Sequence, residues 1–127
     1  MEINFKSTKK RQIIDITDDI AKSISSFSGL VNVFIKHTTA SLTTADLDPG
    51  TDLDLLDFLA SLVPDLNWRH PHNPKHAPDH LLASVIGSAV SIPVINGELQ
   101  LGTWQRIVLI ELDGPRERNV MLTIIDG

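Results

Sequence analysis

The dipeptide Asn96-Gly97 constrains this chain more than any other feature of its sequence. A two-residue hairpin turn needs positive φ at both central positions, and Asn followed by Gly meets that need at the least steric cost. The flanking stretches Ala89 to Ile95 and Glu98 to Leu101 therefore read as antiparallel partners. Pro93 has no amide donor and pushes the first of them toward an edge or a bulge. Other strand signals crowd around this hairpin. Ile3 and Phe5 alternate with polar neighbours, and Ile13, Ile14 and Ile16 follow the basic turn Lys9-Lys10-Arg11. Leu30 to Lys36 is β-branched and apolar and reads as a buried strand, with a further strand at Ser41 to Thr44. Trp104 to Leu112 and Asn119 to Ile125 flank a turn at Asp113-Gly114-Pro115.

Helical signals fall irregularly between the strands. Thr17 or Asp18 is the expected N-cap of a short helix reaching Ser26, with Gly29 as its stop. Thr51 or Asp52 opens a second helix to Val63, with Leu53, Leu56, Leu59 and Leu62 on one face and Pro64 at its end. Asp65 to Pro78 reads as a loop, and Asp79 to Ile86 as a third helix that Gly87 closes. There is no β–α alternation. The expected fold is therefore α+β, built of antiparallel sheets with two to three helices, in one compact domain over residues 1–127.

Charge and composition exclude several classes. Eleven Lys and Arg against sixteen Asp and Glu leave a net charge of −5, which argues against a nucleic-acid binder with a broad basic face. The absence of Cys removes disulfides, thiolate metal sites and Cys nucleophiles, and fits a cytoplasmic protein. Leu81 to Gly97, the longest stretch without charge, is too short and too polar to span a bilayer, so no membrane association is expected. The first twelve residues lack the apolar run of a signal peptide.

The histidines carry the loudest chemical signal. His70, His72, His76 and His80 lie within eleven residues, and His37 follows a strand directly. Neutral imidazole ligates metals and titrates near neutral pH, whereas a His-rich loop is otherwise simply solvated. His37-Thr38-Thr39-Ala40-Ser41 is a polar knot at a strand end, either a site or a set of hydroxyls serving the local backbone. Asp46, Asp48, Asp52, Asp54 and Asp57 form an acidic run, read as helix capping and solvated surface or, at Asp46 and Asp48, as a Mg²⁺ site. In Gly102-Thr103-Trp104-Gln105 the Gly suggests a bulge, Trp104 suits core or subunit interface, and Gln105 suits a ligand amide or ring nitrogen. Arg116 and Arg118 offer guanidinium forks to phosphate or, equally, to surface carboxylates.

HTTASLT at 37–43, His70, and HLLASVIGSAVSIPVINGELQLGTWQRIVLIELDGPR at 80–116 together resemble the YjbQ-like family, described as secondary thiamine-phosphate synthases. The resemblance runs from about Leu30 to the end. It implies a homotrimer of compact α+β subunits. It also implies a metal-type site on His37, His70 and His80, with zinc the natural ion. Many relatives carry an Asn-Glu pair after the HTTA–LT block, where this chain has Ala45-Asp46 with a shorter loop, so either Asp46 substitutes for the acidic group or that function is missing. The loop HPHNPKHAPDH also differs from the commoner one.

Such an enzyme would join an aminopyrimidine methyl diphosphate to a thiazole phosphate and release pyrophosphate. His37, Thr38, Thr39, Asp46 and Gln105 are then the catalytic candidates. Ser84, Gly87, Thr103, Arg116 and Arg118 are the candidates for gripping the phosphorylated substrate. Positive charge would come from a divalent metal, zinc or magnesium, or from the imidazoles themselves. Two other readings use the same residues: a trimer that binds a metal or phosphometabolite without turnover, and a metal-dependent hydrolase with Asp46 or Glu111 as base.

Overall fold

A computed structural model describes residues 1–127. Two antiparallel sheets face each other. The larger has five strands in the order β1 (Glu2–Lys6), β8 (Glu117–Asp126), β3 (Gly29–Ile35), β5 (Ala89–Ile95), β6 (Glu98–Leu99). The smaller has β7 (Gln105–Glu111) between β2 (Gln12–Asp15) and β4 (Ala40–Asp46). Three helices complete the chain: α1 (Thr17–Ser23), α2 (Thr51–Ser61) and α3 (Ala77–Ile86). The α+β class expected from the sequence is the one observed.

Strand alternation builds two cores from one set of residues. Ile107 and Leu109 of β7, with Ala40 and Leu42 of β4, point toward the five-stranded sheet and meet Val31, Val33, Ile35, Ile92, Val120 and Leu122. Val108, Ile110 and Leu112 point the other way and are covered by Leu59 of α2 and by Leu82 and Ala83 of α3. β7 is buried on both faces, which explains its uninterrupted apolar run.

The five-stranded sheet has no helix on its outer side. Leu30 and Phe34, both expected to be buried, instead lie on that exposed face beside Met121 and Ile125. The β3 run looks like a two-sided core strand in sequence, and only its odd-numbered residues are core.

Other differences have local causes. No Thr or Asp side chain caps α1. Ile16 takes the cap position, and the Asp15 carboxylate accepts from the Thr17 amide at 3.0 Å and from its hydroxyl at 2.7 Å. The helix stops at Ser23, and Gly29 instead begins β3, where a Cβ would lie 2.1 Å from the carbonyl oxygen of Ile125. Gly50, left-handed at φ 90°, takes the cap position of α2 in place of Thr51 or Asp52. The leucine stripe of α2 is rotated from its expected face. Leu59 is buried with Leu55 and Val63 beside it, while Leu53 and Leu62 face solvent. A 3-10 turn at Pro74–His76 runs into α3, so the third helix starts two residues early. The Asn96-Gly97 turn forms as expected, with φ of 51° and 78°. Its returning strand is only two residues long, because Gln100 turns its amide back to the Pro93 carbonyl.

No helix is long and apolar enough to cross a membrane.

Candidate functional site

One end of the small sheet concentrates polar chemistry. β3 leaves the sheet after Ile35, so the Asn119 amide of β8 loses its strand acceptor. The His37 ring replaces it, with Nε2 accepting from the Asn119 N–H at 3.0 Å. A neutral imidazole that accepts at Nε2 carries its proton on Nδ1. Burial, followed by the nearby positive charge of Arg118, holds the His37 pKa below its ordinary value, so the ring is neutral at pH 7.

Beside His37, the inter-sheet core ends in a buried ion pair. Arg118 is 2% exposed and Glu111 is 0% exposed. The Arg118 Nε donates to Glu111 Oε1 at 2.9 Å and its Nη2 to Glu111 Oε2, while Nη2 also reaches the Thr39 carbonyl at 3.0 Å and hydroxyl at 2.9 Å. Ser7 donates its hydroxyl to Glu111 at 2.6 Å, and the Asp113 amide donates to it at 3.0 Å. Burial alone would raise the Glu111 carboxyl, but the hydrogen bonds from Arg118 and Ser7 outweigh it and hold the pKa below the usual range. Two expectations are corrected here. Glu111 is a locked carboxylate and is not placed to act as a general base. Arg118 is a structural clamp on the chain itself, and only its Nη1 lacks a partner within the protein.

A second cluster ties α3 to the same end. Lys10 bridges Asp79 of α3 at 2.6 Å and Asp113 at 2.8 Å, and Arg11 holds the other Asp79 oxygen at 2.8 Å. Arg116 binds Asp113 through Nη2 at 2.9 Å and donates its amide to Ser7. Asp79 is 2% exposed, so leaving it unpaired would be costly, and the basic turn after β1 supplies both partners. Nothing in the sequence links residues 10 and 79, and this cluster was not legible before folding.

Of the three expected metal ligands, the fold brings two together. The His70 and His80 rings lie tilted against each other, 4.6 Å between centroids and 48° between planes. His37 contributes no free Nε2 lone pair, because the Asn119 amide occupies it. No three His, Asp or Glu side chains in one chain converge to hold a metal ion. His76 sits with Nδ1 at 3.9 Å from Asp113, and His72 is an exposed loop residue with φ 70°. Thr38 is exposed, whereas Thr39 is buried by its bonds to Arg118. Ser84 donates to the His80 carbonyl within its own helix at 2.9 Å. The Gly87 amide is also spent inside α3, on Ala83, and its carbonyl accepts from Leu42. Neither presents a donor to a ligand, contrary to expectation.

Asp46, Thr103 and Gln105 lie at the opposite end of the same ladder. The register pairs Ala40 with Glu111 at one end and Asp46 with Gln105 at the other. Six residues of strand separate these pairs, about 20 Å at ~3.3 Å per residue. One small ligand cannot touch both ends of one chain. At this far end Thr44, Ala45, Asp46, Gly102, Thr103, Trp104 and Gln105 line an open groove of about 430 Å³. Trp104 stands 70% exposed above it. The Gln105 amide does not await a ligand. Its oxygen accepts from the Gly102 amide at 3.1 Å and its nitrogen donates to Thr44 at 3.0 Å, which fixes the Gly102–Gln105 turn.

The fold and this polar end define a class: a small two-sheet α+β domain whose middle strand ends in a buried Arg–Glu pair beside a neutral, backbone-bound histidine. The family model for UPF0047 YjbQ-like proteins matches residues 1–127 in full, and the chain belongs to that family. A UPF0047 protein of Archaeoglobus fulgidus is 42% identical over 123 residues, covering 96% of this chain and 98% of that one. The Bacillus subtilis UPF0047 protein YugU is 32% identical over 130 residues, with 97% and 96% covered. A hypothetical protein of Aeropyrum pernix superposes with a TM-score of 0.89 at 34% identity, over 100% of this chain and 98% of that one. An uncharacterised YjbQ/UPF0047 protein of Clostridium acetobutylicum gives 0.87 at 37%, over 98% and 99%. These relatives carry the fold to this chain and name no reaction.

Proposed function

We propose that the His37 end binds the phosphate or pyrophosphate group of a small metabolite, and that the protein acts there as a weak transferase of the thiamine-phosphate synthase type. The observation that supports this reading most directly is the state of His37. Its Nε2 is taken by a backbone amide, so the ring offers Nδ1–H as a donor. The half-exposed Arg116 and the exposed Thr38 hydroxyl supply further donors. Four cations, Lys10, Arg11, Arg116 and Arg118, pair with three carboxylates, Asp79, Glu111 and Asp113. This is a local positive excess in a chain of net charge −5. Anion binding is favoured where oriented donors and cations meet in partial burial.

In the reaction, the bond from the pyrimidine methylene carbon to the diphosphate oxygen breaks and pyrophosphate leaves with the electron pair. The thiazole nitrogen forms the new bond to that carbon. The Nδ1–H of His37 and the guanidinium donors would stabilise the charge that builds on the departing pyrophosphate.

A divalent ion fits less well. His70 and His80 supply two ligands, and His37 becomes a third only by surrendering Asn119. Zinc would contribute positive charge, and one equivalent in elemental analysis of the purified protein would replace the anion reading with a metal one. Magnesium at Asp46 and Asp48 is tested in the same measurement.

Calorimetric titration with pyrophosphate, followed by chromatographic assay for thiamine phosphate, tests the proposal. Saturable binding and slow product formation, both lost in His37→Ala with the fold intact by circular dichroism, are expected. Absence of pyrophosphate binding overturns it. Binding without product leaves the non-catalytic phosphometabolite-binding reading. Ester or phosphate hydrolysis that chelation abolishes supports the hydrolase reading.

A further inference from the structure

The helices that cover the small sheet leave an apolar surface of their own. Leu55, Phe58 and Leu62 follow one another at spacings of three and four, so they share one side of α2. Phe58 is 60% exposed and Leu62 53%. A hollow opens at each end of this stripe. The first, about 320 Å³, is lined by Ala45, Asp46, Thr51, Asp54, Leu55 and Phe58. The second, about 220 Å³, lies between the two helices, with Leu62, Val63 and Trp68 on one side and Pro78, Leu81 and Val85 on the other. The second hollow is smaller than the roughly 300 Å³ at which small-molecule pockets begin, and suits a single large side chain. From Leu55 to Leu62 the stripe runs about 10 Å, which is also the distance between residues i and i+7 of a facing helix.

The surface around the stripe has one sign. No Lys or Arg lies between His37 and Arg69, whereas Asp46, Asp48, Asp52, Asp54, Asp57 and Asp65 do. None of these six carboxylates takes part in an ion pair within the chain. Asp54 and Asp57 are exposed on α2 beside Phe58. Arg69 and Lys75, the flanking cations in sequence, lie on the loop beyond Trp68.

We propose that the α2–α3 face receives a basic, amphipathic helix of a different protein. Two apolar anchors two turns apart fill the hollows, and Lys or Arg side chains lie over Asp46, Asp54 and Asp57. No helix of this chain fits that description. α1 has one Lys against two Asp, and α2 and α3 have no Lys or Arg. A second copy packed through the same face would set Asp against Asp. Anionic lipid and nucleic acid are repelled for the same reason. The proposal is independent of the anion reading at His37.

A synthetic Leu/Lys peptide, about four helical turns long with leucine at i, i+3, i+4 and i+7, is the probe. Calorimetry with the whole chain at low salt is expected to show saturable binding of one peptide per chain. In ¹⁵N NMR the shifted amides are expected to fall on α2, α3 and the Trp68 loop. Phe58→Ser and Val85→Ser each remove one exposed anchor contact, and each is expected to weaken binding about tenfold with unchanged circular dichroism. Asp54→Asn combined with Asp57→Asn is expected to weaken binding and flatten its salt dependence. A Ser/Lys peptide of equal charge and a Leu/Glu peptide of equal pattern are expected not to bind. Lack of saturable binding, equal binding of the Ser/Lys peptide, or unchanged affinity in both Ser variants overturns the proposal. So do amide shifts centred around Trp104. Binding of anionic vesicles through the same amides, without peptide binding, would assign the face to a membrane instead. A smaller sedimentation coefficient for Val85→Ser would show that another copy covers it, and either result rejects the proposed partner.

Discussion

Arg118→Met isolates the physics of the buried pair. The substitution keeps most of the aliphatic stem and removes the only cation that contacts Glu111. Removing one member of a buried ion pair costs about 3–5 kcal/mol, because the remaining charge stays unpaired in the interior. For a chain of this size each kcal/mol lowers the melting midpoint by about 4 °C, so a fall of about 12–20 °C is expected. The sign of the pH dependence adds a second, independent check. In the wild type the Glu111 pKa is depressed, so its stabilisation is present above the unfolded carboxylate value of about 4.3 and is lost as pH falls through the lower folded value. In the variant, burial is opposed only by the Ser7 and Asp113 hydrogen bonds, so the same carboxyl moves upward from its wild-type position. The variant is then penalised most near neutrality, and its deficit shrinks toward pH 4. Urea denaturation at fixed protein concentration, at pH 7 and pH 4.5, measures both quantities. A deficit below about 1 kcal/mol, or one equal at the two pH values, would refute the reasoning. Glu111→Leu added to Arg118→Met should recover much of the loss, since an apolar pair carries no desolvation penalty.

Four further outcomes follow from named contacts. His37 should titrate below its ordinary midpoint in two-dimensional ¹⁵N NMR and show the Nδ1–H tautomer when neutral. Because its folded pKa is depressed, its protonation opposes folding as pH falls below about 6.5. Ser41→Ala should leave stability unchanged or raise it by up to about 1 kcal/mol in the same urea assay, because its buried hydroxyl has no partner in the chain. Gly114→Ala places a Cβ 2.2 Å from the Lys9 carbonyl oxygen and 2.7 Å from the Ser7 hydroxyl, so a clear loss of melting temperature and displaced Lys10 and Arg116 signals are expected. Asp46→Asn should lower the Asp48 carboxyl midpoint in a ¹³C titration, since the Asp46 charge is the first cause of its elevation.

Sequence alone determined the elements and their class. Alternation, the Asn96-Gly97 turn, the Pro64 stop and the Gly87 cap are local signals, and local backbone sterics enforce each of them whatever the rest of the chain does. It also marked His37 and the Asp113–Arg118 turn as chemically interesting, since both fall where strands end. Tertiary structure decided what those residues are for. The same Arg118 reads as a phosphate clamp or a structural clamp until β7 and β8 place it against Glu111. Leu53 and Leu62 share a helical stripe with Leu59, yet only Leu59 meets β7. Lys10 reaches Asp79 across 69 positions, and the ladder register carries Asp46 and Gln105 away from His37. Pairing across such separations depends on which faces bury together, a global property of packing that no short window of residues encodes.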